Sequence, residues 1–362
     1  MSNLLKSGGL TVIIGPSRSI PQDVRKGREE TDLARRAGVR VIYETTDITT
    51  DIAPWLLSVE FTDGIDKADD LQLTLWDDGR WRGSWAPDEG AKLTAEIHLI
   101  ENGKTVRLPC GVFSIDELEA SGFPQTVTIK AISAFVTTAI RRDEKTRAWE
   151  NIDFMGIART IADKAGILLL YSARNNPEYK RIDQKSKSDL AFLQDLGDRE
   201  GLRVKVSDGK LIIFSQADYD SNAAIDTYRW LDPRVTGYSF TSGVTSAYSK
   251  AKIKYRDPRS KKMIECVYTP PDAPETGQTL RINERCSSLA EAERVEKNRL
   301  AAKNRGIKGA RLDLVGDPRL VAGQNIKVTG YGSKCDGSYA IEEATHSLWP
   351  YTTSLGLRKI NG

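Results

Sequence analysis

Two stretches of this sequence, GVFSIDELEASGFPQTVTIKA at residues 111–131 and GSYAIEEATHSLWPYTTSLGL at residues 337–357, align without a gap. Both alternate apolar and polar residues in the way that is typical of half-buried strands. The matched pairs combine identical residues with aromatic-for-aromatic replacements: Gly111/Gly337, Phe113/Tyr339, Ile115/Ile341, Glu117/Glu343, Ser121/Ser347, Phe123/Trp349, Pro124/Pro350 and Thr126/Thr352. The sequence therefore predicts one β-rich unit that occurs twice.

A second pair of blocks lies upstream of each stretch in the same order. VEFTDG at 59–64 corresponds to YSFTSG at 238–243, and each is followed by an alternating strand, ending in LWDD at 75–78 and in IKYRD at 253–257. The interval between blocks is about twice as long in the second copy, which predicts an insertion there. Two unrelated β domains remain the alternative interpretation.

Composition shifts divide the chain into four predicted parts. Residues 1–38 form a basic arm, 39–140 a first small antiparallel β-barrel, 141–230 an α+β insert, and 231–362 a second barrel. An inserted loop and helix occupy 258–306 in the second barrel. The predicted fold class is α+β, mainly β, because short strands separated by Gly, Asp and Pro dominate outside the insert.

Helix signals mark three places in the chain. Asn151 or Asp153 is a predicted N-cap for a helix that ends at Gly166, and Ser188 begins a second helix that ends by Gly201. After it, Asp208-Gly209 predicts a tight hairpin. In a third helix, Ser288 and Glu291 form a predicted capping box, and its many charged residues suggest a solvent-facing side that ends by Gly306.

The composition indicates a protein that folds in water. Of 362 residues, 28% are charged and 39% hydrophobic, with a net charge of +3, and no apolar run approaches the roughly 20 residues of a membrane span. The N-terminus lacks the apolar segment of a secretory signal peptide. Four scattered cysteines form no C-x-x-C pair and no disulfide framework.

No motif in the sequence predicts catalytic, cofactor-binding or metal-binding residues. His98 and His346 stand alone, without zinc or catalytic-triad context. The segment 330–337 has neither the order of a phosphate loop nor that of a dinucleotide loop. Asp77 and Asp78 are adjacent on a strand, so they point to opposite faces and cannot flank a sugar bond together. The chain is predicted to be no enzyme and to hold no cofactor or metal.

The densest aromatic and basic cluster is the candidate protein interface. Trp and Arg dominate interface hot spots, which favours a protein partner, although core packing and base stacking remain alternatives. The cluster consists of Trp76, Arg80, Trp81, Arg82 and Trp85.

From about residue 40 to 362, the chain resembles the late control D family, the baseplate hub proteins of contractile phage tails and related injection systems. The resemblance rests on GVFSIDELEASGFPQTVTIKAISA from residue 111, QKSKSDLAFLQDLGDREGLRVKVSDGKLIIF from residue 184, and GDPRLVAGQNIKVTGYGSKCDGSYAIEEATHSLWPYTTSLGLR from residue 316. These are long pattern matches and not a catalytic signature. The basic arm lies outside them.

The resemblance implies two tube-type β-barrels in each chain and a homotrimer whose six barrels form a pseudo-six-fold ring. Such a ring would adapt a six-fold tail tube to a three-fold spike. The implied partners are the tail tube protein, the trimeric tail spike, and wedge and tape-measure components. No membrane and no specific nucleic acid is expected, and the implied location is the virion baseplate after assembly in the host cytoplasm.

Other hypotheses stay open at this point. The same hub could serve a DNA-free tailocin or an extracellular contractile injection particle, and the sequence does not separate these from a phage. Two further classes are a nucleic-acid-binding β-barrel protein, whose affinity would fall steeply with salt, and a cell-wall hydrolase.

Overall fold

A computed structural model of the protein describes residues 35–79, 85–133, 138–243, 247–256, 263–271, 273, 277–286 and 288–360. Within these residues the chain forms strands β1 to β21 and helices α1 to α6. The strands lie in one 13-stranded sheet and three small sheets. This confirms the predicted mainly-β, α+β class. Residues 1–34, most of the predicted basic arm, lie outside the described part.

The first copy of the repeated unit curls around one hydrophobic core. Alternate residues Leu71, Leu73 and Leu75 point into this core and are buried, as the period of two of a strand requires. The sheet order is β2-β1-β5-β6-β7-β4-β3. Its elements are β1 (Arg36–Tyr43), β2 (Thr46–Asp47), α1 (Thr49–Ile52), β3 (Leu56–Gly64), β4 (Asp70–Trp76), β5 (Lys92–Glu101), β6 (Lys104–Ser121) and β7 (Thr126–Ser133).

The middle of the chain forms an α+β unit with its own core. Asp153 caps its main helix by accepting a hydrogen bond from the Gly156 N–H at 2.7 Å, and Gly166 ends that helix in a left-handed conformation, as predicted. Asp208-Gly209 forms the predicted tight hairpin turn. The elements are α2 (Thr138–Arg141), β8 (Lys145–Asp153), α3 (Phe154–Ala165), β9 (Leu168–Tyr171), β10 (Glu178–Lys187), α4 (Asp189–Glu200), β11 (Leu202–Ser207), β12 (Lys210–Ser215) and α5 (Gln216–Asp220).

The second copy continues the large sheet in the order β14-β18-β21-β20, with β19 beside β20 and β13 beside β19. Its elements are β13 (Thr227–Arg229), β14 (Val235–Ser242), β15 (Tyr248–Arg256), β16 (Met263–Tyr268), β17 (Gln278–Ile282), α6 (Leu289–Asn304), β18 (Lys308–Val315), β19 (Asn325–Thr329), β20 (Gly337–Leu348) and β21 (Thr352–Lys359).

The strand registers confirm the predicted match of the two hairpins. In the β6–β7 hairpin Ile115 faces Ala131, and in the β20–β21 hairpin the equivalent Ile341 faces Leu357. The register shifts by one residue just after Ile115 and just after Ile341, so even the irregularity is repeated. Since bulges are specific structural features and not random defects, this agreement indicates duplication.

The sequence match between the alternating strands of the two copies was wrong. Residues 253–257, matched to the end of β4 on sequence, belong to β15, which lies in a separate sheet with β16 and β17. The structural equivalent of β4 is β18, which pairs with β14 and β21 as β4 pairs with β3 and β7. The stretch inserted between β14 and β18 therefore begins before residue 258.

The charged helix α6 has the predicted solvent-facing side, where Glu293, Arg294, Lys297 and Lys303 are exposed, but two of its glutamates contact other elements. Ser288 caps it, accepting a hydrogen bond from the Glu291 N–H, but the Glu291 carboxylate pairs with Arg199 of α4. Glu296, expected to face solvent, is fully buried and accepts a hydrogen bond from the Ile253 N–H at 2.5 Å. These two glutamates join α6 to its neighbours, Glu291 by an ion pair and Glu296 by a hydrogen bond to the backbone.

The equivalence of β4 and β18 can be tested by matched core substitutions. Leu73→Ala and Leu312→Ala each remove a side chain that is 1% exposed, and each should lower the free energy of unfolding by about 2–5 kcal/mol. Leu57→Ala, where the side chain is 48% exposed, should cost less than about 1 kcal/mol. Urea denaturation measures all three, and a Leu312 effect as small as that of Leu57 would contradict the assignment.

Candidate assembly interface

The predicted tryptophan and arginine cluster is only partly within the described residues. Trp76 ends β4, is 45% exposed, and stacks on Trp55 at a ring-centroid distance of 5.5 Å. Trp85 is 42% exposed. Arg80, Trp81 and Arg82 lie outside the described part of the chain. Their role as an interface stays a prediction.

A feature that the sequence did not predict joins the two copies within the chain. Strand β3 of the first copy pairs antiparallel with β20 of the second, with Val59 opposite Leu348 and Gly64 opposite Glu343. We call this ladder the seam. It makes one continuous sheet of two units that otherwise have separate cores. A seam of this kind fixes how the two copies are oriented.

His346 lies in the middle of the seam and is fully buried. Its ring stacks near that of Phe61 at 6.2 Å. Its Nε2 lies 2.9 Å from the carbonyl oxygen of Leu320, so Nε2 carries the proton, and Nδ1 accepts from the hydroxyls of Tyr351 at 3.1 Å and Thr353 at 3.2 Å. Burial lowers the pKa of His346, which keeps the ring neutral.

A network of buried ion pairs fastens the middle unit to one end of the seam. Arg203 of β11, with a side chain 2% exposed, contacts Asp66 and Glu342 at 2.7 Å each. Arg358 of β21 contacts Glu342 at 2.6 Å and Asp220 at 2.5 Å. Although burial opposes it, the two guanidinium groups hold the pKa of Glu342 below its usual value. The network links the seam to β11 and α5.

A second buried cluster lies beside the first. Lys205 of β11 pairs with Asp63 of β3, and the Ser207 hydroxyl donates to Asp69. Burial raises the pKa of Asp69 to about 7, Lys205 opposes this rise, and the neighbouring Asp63 adds to it. Two carboxylates close together in a buried site do not both ionise easily. Asp69 is therefore partly protonated near neutral pH.

These buried polar groups have hydrogen-bond or ion-pair partners within the chain. Across the described ranges, no group of three or more His, Cys, Asp or Glu side chains is arranged to hold a metal ion. A cleft of about 1820 Å³ lies between β10, β17 and α6. In it Arg199 contacts Glu284 at 3.2 Å and Glu291 at 2.5 Å. The opposite charges there bind the walls to each other.

Curated relatives match about half of the chain. It is 34% identical to the probable baseplate hub protein of Escherichia phage P2 over 176 residues, which cover 48% of this chain and 43% of that protein. It is 36% identical to the probable baseplate hub protein of Escherichia phage 186 over 172 residues, 46% of this chain and 42% of that protein. About half of the chain is therefore homologous in sequence to phage baseplate hub proteins. The match spans less than half the length of either relative, and no family model matches the chain.

Several solved structures share the fold of this protein over most of its length. The 43 kDa tail protein of prophage MuSo2 from Shewanella oneidensis has a TM-score of 0.68 at 16% identity, covering 89% of this chain and 98% of the other. An Escherichia coli component of the type VI secretion system has a TM-score of 0.53 at 12% identity, covering 90% and 77%. The fold is therefore one found in phage tails and in a secretion system.

Breaking the buried network should destabilise the protein far more than breaking an exposed pair. Arg203→Met removes one of two guanidinium partners from each of Asp66 and Glu342, and should cost about 3 kcal/mol of unfolding free energy. Arg181→Met removes an exposed pair with Glu150 and should cost less than about 1 kcal/mol. Urea denaturation compares the two variants, and equal effects would show that the network contributes little.

The buried Asp69 carboxyl should make stability depend on pH. Because its pKa is raised in the folded state to about 7, the folded state binds the proton more tightly than the unfolded state does. Its contribution to stability is therefore complete below about pH 4 and is lost as the pH rises toward 7. The slope is at most about 1.4 kcal/mol per pH unit.

Asp69→Asn imitates the protonated acid and should remove this slope. The unfolding free energy of the variant minus that of the wild type should rise between pH 4.5 and 7.5, as measured by urea denaturation at each pH. A difference that stays constant across this range would rule out titration of Asp69.

Proposed function

We propose that this protein is the structural hub of a contractile-tail baseplate, and that three chains form a ring of six similar units. The observation that carries the proposal is the duplication with conserved strand register, taken together with homology to proteins named as baseplate hubs. The two tube-type units are those predicted at 39–140 and 231–362, and the unit at 141–230 lies between them.

The symmetry of such a particle explains why one chain would carry two copies. A trimer of chains with two equivalent units presents six similar edges to a six-fold tube, while its overall symmetry stays three-fold for a spike. A chain with a single unit could not meet both symmetries as a trimer. We propose the tube and spike proteins as its two axial partners, and Trp76 and Trp85 as part of a contact with a baseplate protein.

The proposed role is mechanical and not catalytic. His346 is committed to the carbonyl of Leu320 and two hydroxyls, and the buried carboxylates Glu342 and Asp63 pair with basic side chains of the same chain. Groups with these partners stabilise interfaces between units. This supports a protein that holds parts of the particle together in the virion tail.

The oligomeric mass tests this proposal. Native mass spectrometry of the purified chain, alone and mixed with tube and spike proteins from the same genome, should show a species of three chains of 40.1 kDa each. Addition of spike protein should shift that mass by one spike trimer. A chain that stays monomeric with both partners present would contradict the hub proposal.

A salt titration separates the hub from a nucleic-acid-binding protein. The hub should show no DNA affinity that falls steeply as salt increases, whereas a protein that neutralises several phosphates must show it. Fluorescence anisotropy with duplex and single-stranded DNA between 50 and 300 mM salt makes the comparison.

A further inference from the structure

The seam is formed by β20 and β3, and each of these strands has an equivalent in the other copy. The equivalent of β20 is β6, which has no strand in the place of β3 among the described residues. One edge of β20 pairs with β21. The other edge pairs with β19 at the start of the strand and with β3 at residues 343–348. Its equivalent β6 is flanked by β5 up to Ser114, and beyond that point only β7 pairs with it in the described structure. Among the described strands, none pairs with the outer edge of residues 117–121.

The equivalent of β3 also has an edge on which no described strand pairs. Strand β3 pairs with β4 on one edge and with β20 on the other. Its equivalent β14 pairs with β18 alone among the described strands. The equivalence of β3 and β14 extends to their irregularities, because the register shifts between Leu56 and Ser58 and again between Val235 and Gly237. One chain thus ends in two complementary strand edges.

The backbone groups on the β14 edge point the right way for pairing. Ile65 donates its N–H to the carbonyl of Glu342 at 3.1 Å, so by alternation Phe61 directs its backbone groups toward β20. Gly243 donates its N–H to the carbonyl of Ile307 at 3.0 Å, on the β18 side. By the same alternation Phe240, the equivalent of Phe61, directs its N–H and C=O outward.

Exposure follows the same division. The second hairpin is covered: Ala344 and His346 are fully buried, and Trp349 at its tip packs against the first core. In the first hairpin, residues 119–124 are exposed, and Phe123, the equivalent of Trp349, is 92% exposed. The aromatic ring at the hairpin tip is therefore packed within the chain in the second copy and accessible to a partner in the first.

An aromatic cluster lies beside the open β14 edge. Tyr238 and Trp230 are each 48% exposed. Tyr238 packs edge-on against Trp230 at 5.6 Å and against Tyr331 at 5.0 Å, and Phe240 contacts Tyr331 at 5.4 Å. Such a surface suits another aromatic ring, since offset and edge-on ring pairs are favourable.

We propose that β14 of one chain pairs antiparallel with residues 117–122 of the next chain, in the register of the internal seam. This places Glu117 opposite Gly243, Glu119 opposite Thr241, Ala120 opposite Phe240 and Gly122 opposite Tyr238. Phe123 then contacts the aromatic cluster of the neighbour, as Trp349 contacts the first core within the chain. The inference rests on the proposed hub, because it supplies the contact by which the ring closes.

The occupant of both edges is a second copy of this chain because the internal seam shows that the equivalent surfaces, those of β3 and β20, fit each other. Pairing an edge strand by main-chain hydrogen bonds is a common mode of protein recognition. Each chain binds the next chain through one of these edges and the preceding chain through the other. The contact is therefore head-to-tail and leads to a closed ring or to a filament.

Disulfide trapping tests the register. Thr62 and Thr345 face each other in the seam with their hydroxyl oxygens 3.3 Å apart, and their equivalents are Thr241 and Glu119. Chains with Thr241→Cys and chains with Glu119→Cys, both also carrying Cys266→Ser and Cys335→Ser, are mixed and oxidised. A cross-linked dimer should form on mixing and stay absent from either variant alone.

Neighbouring positions are the matched controls. Leu118→Cys and Ala120→Cys each move the cysteine to the opposite face of the strand, so neither should cross-link with Thr241→Cys. Equal cross-linking at all three positions would overturn the register. Native mass spectrometry distinguishes the remaining outcomes. A trimer without the Glu119 cross-link would overturn this edge pairing and leave the hub standing, whereas cross-linked chains that never close at three would overturn the three-fold hub and leave the pairing.

Phe123→Ser tests the aromatic contact in a way that does not depend on cysteine chemistry. The concentration at which half of the assembly dissociates should rise by at least about 10-fold, as for loss of an interface anchor. Leu168→Ser, at a side chain 60% exposed on the middle unit, should leave it unchanged. An unchanged midpoint for Phe123→Ser would show that this ring does not contact the neighbouring chain.

Discussion

The antiparallel ladder between β3 and β20 is the contact on which the arrangement of the whole molecule depends. It converts two curved sheets with separate cores into a single sheet. The backbone groups of both strands are buried there, so leaving them unpaired would be costly. Phe61 and His346 fill the space over the ladder, and His346 keeps its neutral form through a carbonyl and two hydroxyls. Rotation of one copy against the other would break all of these contacts together.

The position of the middle unit follows from the same seam. Arg203 and Lys205 both come from β11, and both reach carboxylates at the end of β3 or the start of the seam region of β20. Buried charges are tolerated only with close partners and good geometry. The middle unit is therefore fixed to the junction of the two copies.

The sequence predicted the repeated hairpin because short-range features determine it. Gly111 and Gly337 take up left-handed backbone angles that favour glycine, and the alternation on either side is clear. The partner of β14 was beyond this reasoning. Ile253 in β15 and Leu312 in β18 lie in equally alternating stretches, and alternation shows that a strand has a buried face without showing which strand lies beside it.

Side-chain partners between distant elements escaped prediction for a related reason. The charged residues of α6 predicted a solvent-facing side, since charged side chains are usually exposed. Glu296 is buried because the N–H of Ile253 on another element needs an acceptor there. The seam itself was invisible in the same way, since nothing local to Thr62 indicates Thr345 as its neighbour. Only the tertiary arrangement brings such groups together.

The two ends of the large sheet differ in how well they suit a further strand. At the far end, β1 carries the two-residue strand β2, and Arg40 pairs with Asp47 across them at 2.9 Å. A short, charged edge strand of this kind discourages further pairing. The β14 end instead presents eight residues and an aromatic cluster. If the seam is repeated between chains, its single rotation is applied at every step, and the number of units in the ring is set by that angle alone. A six-unit ring requires a sixth of a turn at each contact, so the same backbone ladder that orients two copies within one chain also determines whether three chains close.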